Sequence, residues 1–106
     1  MLEVRYYLSD GKSPFADWFE ELNAAARAKV TVAIARLEQG NLSNVKSVGE
    51  GVLEQKIDFG PGYRVYFGRD GDTLVILLCG GTKKRRQRDI DNAIHYWRDY
   101  KQGKRR

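Results

Sequence analysis

The most constraining stretch is Thr73 to Cys79, which offers apolar side chains to both faces of any strand it forms. Such a strand is stable only in the middle of a sheet with a covering layer on each side. The remainder of the chain must therefore supply both its neighbours and its covers.

The neighbouring strands precede it. Leu53, Ile57 and Phe59 alternate with Glu54, Lys56 and Asp58, and Tyr63, Val65 and Phe67 alternate with Arg64, Tyr66 and Gly68. Gly60-Pro61-Gly62 forms the turn between them, and Asp70-Gly71-Asp72 forms the next. Gly80-Gly81 ends the central strand. A short strand over Val45 to Val48 and an N-terminal strand from Leu2 to Leu8, with Val4, Tyr6 and Leu8 on one face, complete the β elements.

The covering elements are helical. Ser13 caps a helix with Pro14 at its first position, and Phe15, Trp18, Phe19 and Leu22 share one face. After Asn23 a second helix runs from Ala24 to Gln39 with Val30, Ala33, Ile34 and Leu37 facing in, and Gly40-Asn41 stops it. The last helix spans roughly Arg86 to Tyr100, with Ile90, Ala93, Ile94 and Trp97 at core spacing. The expected fold is α+β: one domain over residues 1–106, with an antiparallel, mixed-edge twisted sheet of about four to five strands, an N-terminal helical hairpin and a C-terminal helix.

Charge is strongly polarised. Residues 83–106 carry ten Lys/Arg against three Asp, whereas the other 82 residues carry nine basic and eleven acidic groups. The net +5 thus resides in the C-terminal quarter, which suits a phosphate-rich partner. Lys104, Arg105 and Arg106 read as a solvated tail. The one Cys and one His, Cys79 and His95, exclude an intrachain disulfide and a Cys/His zinc site, and no cofactor is implied. No apolar run resembles a signal peptide or a membrane span, so the expected location is the cytoplasm, with no membrane partner.

Hairpin register groups the polar residues. If Gly60-Pro61-Gly62 is a three-residue loop, Asp58 opposes Arg64 and Lys56 opposes Tyr66. Glu54, Lys56, Asp58, Arg64 and Tyr66 then share one sheet face. A slip by one residue would drive Arg64 into the core. The central strand leads into Lys83 and Lys84, which should reach the rim of that face. The two glycines and the following helix start suit close approach of a phosphate.

With no metal-ligating cluster in the sequence, DNA cleavage lacks the usual activated water. RNA carries its own nucleophile, the 2′-OH. On this chemistry Glu54 is the candidate base, and Arg64 and Lys83 bind the phosphate. Lys56, Tyr66, Lys84, Arg86, Gln87 and Arg88 contact the nucleic acid, and His95 is the acid if its helix turns it to the sheet. Plainer roles stand beside these: surface ion pairs for Glu54–Lys56 and Asp58–Arg64, a sheet-shielding Tyr66, a structural His95 and an inert Cys79.

Several runs resemble the RelE/ParE superfamily of toxin–antitoxin toxins, and within it the HigB-like addiction module killer group. They are Phe15-Ala16-Asp17-Trp18, Lys46-Ser47-Val48-Gly49, Gly60-Pro61-Gly62-Tyr63-Arg64-Val65-Tyr66 and Leu77-Leu78-Cys79-Gly80-Gly81. The resemblance implies a metal-independent endoribonuclease that cleaves mRNA, often at the ribosome, and a cognate antitoxin that is a helix-turn-helix DNA-binding protein. It places Arg64 at an active-site arginine and matches Lys83 and Gln87 to group positions. Glu54-Gln55-Lys56, Thr82 and Lys84-Arg85-Arg86 depart from the group pattern, and His95 and Tyr96 stand in for a terminal His or Tyr. The alternative within the superfamily is a ParE-like binder that inhibits DNA gyrase without cleavage.

Overall fold

A computed structural model describes residues 1–104. Five strands form one mixed sheet in the order β1-β5-β4-β3-β2. The strands are β1 (Glu3–Tyr6), β2 (Val45–Gly49), β3 (Val52–Ile57), β4 (Tyr63–Asp70) and β5 (Leu74–Thr82); the helices are α1 (Pro14–Glu20), α2 (Ala24–Glu38) and α3 (Arg86–Lys104). β2 to β5 run antiparallel in sequence, while β1 lies parallel to β5 after the helical hairpin has crossed over. The expected α+β class, strand number and helix placement all hold. Among the described residues no helix is long and apolar enough to cross a membrane.

The doubly apolar segment is flanked by strands on both edges and covered on both faces. One core packs Phe15, Val30, Ala33 and Leu37 of the helical hairpin on Val65, Phe67, Val75 and Leu77. The other packs Ile90, Ala93 and Trp97 of α3 on Val52, Tyr66, Ile76 and Leu78. Fully burying the Val, Leu, Ile and Phe side chains among these contributes about 1.5–3 kcal/mol each. Ser13 caps α1 by accepting from the Ala16 N–H at 3.0 Å, and Asn23 caps α2 by accepting from Ala26 at 2.9 Å. Asn23, which breaks the apolar pattern in sequence, is thus a helix start.

Local details differ from the sequence expectation. β1 is short, and it is Tyr7, just beyond it, that is buried; Tyr6 and Leu8 are more than half exposed. The strand ends early because Ser9 to Lys12 closes into a tight turn. The Gly60 turn is five residues long, with Ile57 opposite Tyr63, so the hairpin is shifted by two residues from a three-residue loop. An even shift preserves which residues share a face but changes the pairs: Lys56 opposes Arg64 and Glu54 opposes Tyr66. β5 does not stop at Gly80-Gly81 but runs through both glycines to Thr82.

Those glycines are clearances. A Cβ on Gly80 would lie 2.3 Å from the Trp18 ring, and one on Gly68 would lie 2.5 Å from the Trp97 ring. Each large indole therefore seats on bare backbone, one on each side of the sheet.

Candidate functional site

The polar sheet face expected to lie open is the face that α3 covers. Glu54, in the middle of β3, is 1% exposed. Arg86, at the start of α3, forks onto it, with Nε donating to Oε2 at 2.9 Å and Nη2 to Oε1 at 3.3 Å. Arg64 Nε stands 3.6 Å from the same Oε2, and Lys46 Nζ stands 3.9 Å from Oε1. Three cations thus surround one carboxylate, leaving the cluster net positive. The Glu54–Arg86 fork also ties the first turn of α3 to the sheet. Its later turns are tied by Tyr7 to Asp99 at 2.6 Å and by Tyr100 and Lys104 to Asp70. Lys104 is therefore helical and paired rather than a loose tail; Arg105 and Arg106 lie outside the described residues.

Arg64 is 7% exposed, and its Nη1 donates to the Gly62 carbonyl at 3.4 Å. The backbone N–H of Lys83 donates to the same oxygen at 3.0 Å. The two residues therefore meet at one carbonyl where β4 begins and β5 ends. Lys56 opposes Arg64 on the adjacent strand, and its ammonium is 3.4 Å from Asp58, so Asp58 pairs with Lys56 rather than with Arg64. Lys83, Lys84 and Arg85 form an exposed 3-10 turn that feeds directly into α3. Cations at a helix start oppose the positive end of its dipole, so a bound anion relieves both repulsions.

Other candidates are placed differently. The Tyr66 ring is fully buried beneath α3, which closes it to stacking on a base. Its hydroxyl has no hydrogen-bond partner among the described residues; burial, then the Glu54 charge, pushes its pKa up. His95 is exposed on the side of α3 away from Ala93 and Trp97, about 13 Å along the axis from Arg86. The helix turns it outward, so the condition for its use as an acid is not met. Gln87 donates to Asp91 at 2.9 Å on the exposed surface of α3, and Arg88 is exposed beside it. Cys79 is buried, and desolvation pushes its thiol up to about 12, as befits an inert core residue.

Asp89 belongs to this region, although the sequence reading gives it no site role. A Cβ on Gly81 would fall 1.9 Å from its Oδ2, so the carboxylate rests on bare backbone next to the Arg64 register position. Desolvation raises its pKa, against the lowering effect of Arg85 and Arg88. The Gly-Gly pair thus seats Trp18 and Asp89 rather than opening backbone to a ligand. Only the i+3 spacing from Arg86 hinted that Asp89 would face the sheet with it.

An open cleft of about 250 Å³ borders the cluster at the β2–β3 edge, lined by Asn44, Lys46, Glu54, Lys56 and Asp58. It gives the cationic end a solvent-facing approach from the strand side.

The family described as phage derived protein Gp49-like (DUF891) matches residues 17–96, the span that holds most of both covering faces and every residue of the cluster. The chain belongs to the Gp49-like family. A Haemophilus influenzae protein described as uncharacterized is 46% identical over 80 residues, covering 74% of this chain and 81% of that protein. Membership in the Gp49-like family corrects the RelE/ParE, HigB-like assignment. The Gly60 to Tyr66 and Leu77 to Gly81 runs lie inside the matched span. They build a hairpin turn and clearances for Trp18 and Asp89, structural demands that do not single out one family.

Proposed function

We propose that this Gp49-like protein is a toxin that binds mRNA at its cationic end and cleaves it without a metal, stopping translation, and that a cognate antitoxin holds it in check. The observation that carries this reading is the Gly62 carbonyl, which accepts from the Arg64 guanidinium and from the Lys83 backbone N–H and so sets the two residues side by side. Lys56 opposes Arg64 from β3, and Lys46 reaches Glu54 from β2. RNA supplies the 2′-OH nucleophile, and the cations stabilise charge developing on the phosphorane. One such electrostatic group contributes roughly 10²–10³ in rate.

Glu54 fits a positioning role. Both its oxygens are engaged by guanidinium donors, so it orients Arg64 and Arg86 rather than accepting the hydroxyl proton. Proton transfer falls to solvent at the open end of the cluster. An acidic segment of the antitoxin, docking on the same cations, would block the site by charge complementarity.

The test is primer extension on cellular mRNA after induction of the wild type, Lys83→Ala and Arg64→Lys. Lys83 is exposed, so its variant should melt normally; Arg64→Lys keeps the buried charge but loses the guanidinium contacts to Glu54 and to the Gly62 carbonyl. We expect new mRNA 5′ ends with the wild type and at least a roughly tenfold loss with each variant. Intact mRNA with linearised gyrase–DNA complexes would overturn the reading. A second reading, RNA binding without cleavage, is favoured by the closed positions of Glu54 and Tyr66 and the outward His95. It predicts arrested translation with intact mRNA.

A further inference from the structure

A second cleft of about 250 Å³ opens on the opposite side of β3, between that strand and α2. Lys29, Ala33, Arg36, Asn44, Gln55 and Lys56 line it. Gln55 is 3% exposed and faces α2, because it alternates with Glu54 and Lys56 on β3. Its Nε2 donates to the Ala33 carbonyl at 3.0 Å. That bond fixes the amide orientation, since only the nitrogen can donate to a carbonyl. Oε1 is left buried with no partner among the described residues. An unmet buried acceptor is costly, and a ligand N–H would satisfy it.

The walls of the cleft carry the complementary chemistry. Lys29, Arg36 and Lys56 stand against a single acid, Asp58. The Lys29 ammonium is held over the Phe59 ring at 5.4 Å, and Lys56 is held by Asp58 at 3.4 Å. The site thus holds an unmet acceptor behind its lining and cations outside, which matches a base edge bearing an N–H and the phosphate attached to it. The volume is just below that of an ordinary small-ligand pocket, about 300–1,000 Å³, and suits a single nucleotide unit. Asn44, Lys56 and Asp58 also line the cleft beside Glu54, so the two clefts adjoin around the β2–β3 edge.

We infer that the cleft between α2 and β3 is a nucleotide subsite in which Gln55 Oε1 accepts from a base N–H while Lys29 and Arg36 hold the phosphate. Resting on the RNA reading above, it is the place where a nucleotide flanking the Arg64–Lys83 phosphate is read. Gln55 is then a specificity residue, distinct from the cations that hold the backbone.

The test titrates the full chain with each of the four ribonucleoside 5′-monophosphates and with ribose 5-phosphate, which keeps the phosphate and lacks the base. At least one nucleotide should bind about tenfold tighter than ribose 5-phosphate and shift the Gln55 side-chain amide resonances. Gln55→Leu should remove that difference and leave ribose 5-phosphate binding unchanged. Lys29→Ala with Arg36→Ala, at exposed positions, should weaken all five probes together. If no nucleotide outbinds ribose 5-phosphate, or the Gln55 amide does not shift, the subsite is wrong. The wild-type resonance measurement decides this even if Gln55→Leu fails to fold. Failure of the nuclease reading shows separately, as intact mRNA in cells with Gln55 shifts still present.

Discussion

Glu54 illustrates how one residue's environment sets its role. On a half-open strand a glutamate beside an arginine suits proton abstraction; at 1% exposure it holds the Arg86 guanidinium by two hydrogen bonds and lies 3.6 Å from that of Arg64. Removing one partner of such a pair strands buried charge, at a cost of about 3–5 kcal/mol where both groups are well buried. Because Arg86 is partly exposed, the Glu54→Gln variant should fall toward the lower end, about 3 kcal/mol. Urea denaturation of wild type and variant measures this. A variant of unchanged midpoint would show that Glu54 does not organise the cluster. Sequence placed Glu54, Arg64 and Tyr66 on one face but left that face open, because nothing in their spacing says which side of the sheet α3 returns to.

At the scale of elements, the packing of α1 and α3 depends on absent side chains as much as on present ones. Trp18 of α1 rests on Gly80 of β5, and Trp97 of α3 rests on Gly68 of β4. Gly80→Ala and Gly68→Ala should each cost about 1–3 kcal/mol, since a methyl group must displace a fixed indole rather than the end of a flexible chain. Thermal or urea unfolding of each variant checks this; unchanged stability would mean that the helices slide freely on the sheet. The helices themselves were legible from apolar spacing and caps, as at Ser13-Pro14 and Ile90/Ala93/Trp97. The purpose of the glycines was not, because a glycine that clears a turn and one that clears a ring look the same in a sequence.

Over the whole molecule, cations from several elements gather at one end of the sheet. Lys46, Lys56, Arg64, Lys83 and Lys84 come from β2, β3, β4 and the turn before α3, yet they gather where β4 starts and β5 finishes. If three to five of them contact phosphate, the logarithm of affinity for single-stranded RNA should fall with the logarithm of salt at a slope of about −2 to −4. Fluorescence anisotropy of a labelled oligonucleotide at several salt concentrations measures the slope. A slope near zero would remove the cationic end as the binding surface. Lys83→Ala should reduce the slope by about 0.7, the share of one phosphate contact on a single strand.

The amino-acid order alone determined the element sequence, the central position of the Thr73 to Cys79 segment, and which residues alternate onto which face of β3 and β4. These follow from local periodicity and caps, which act over a few residues. The tertiary structure alone decided that Tyr66 is closed, that His95 points outward, that Arg86 rather than Lys56 engages Glu54, and that Gln55 keeps one oxygen unmet. Each of those depends on where α2 and α3 dock across the sheet, a contact between distant parts of the chain that short-range patterning does not encode.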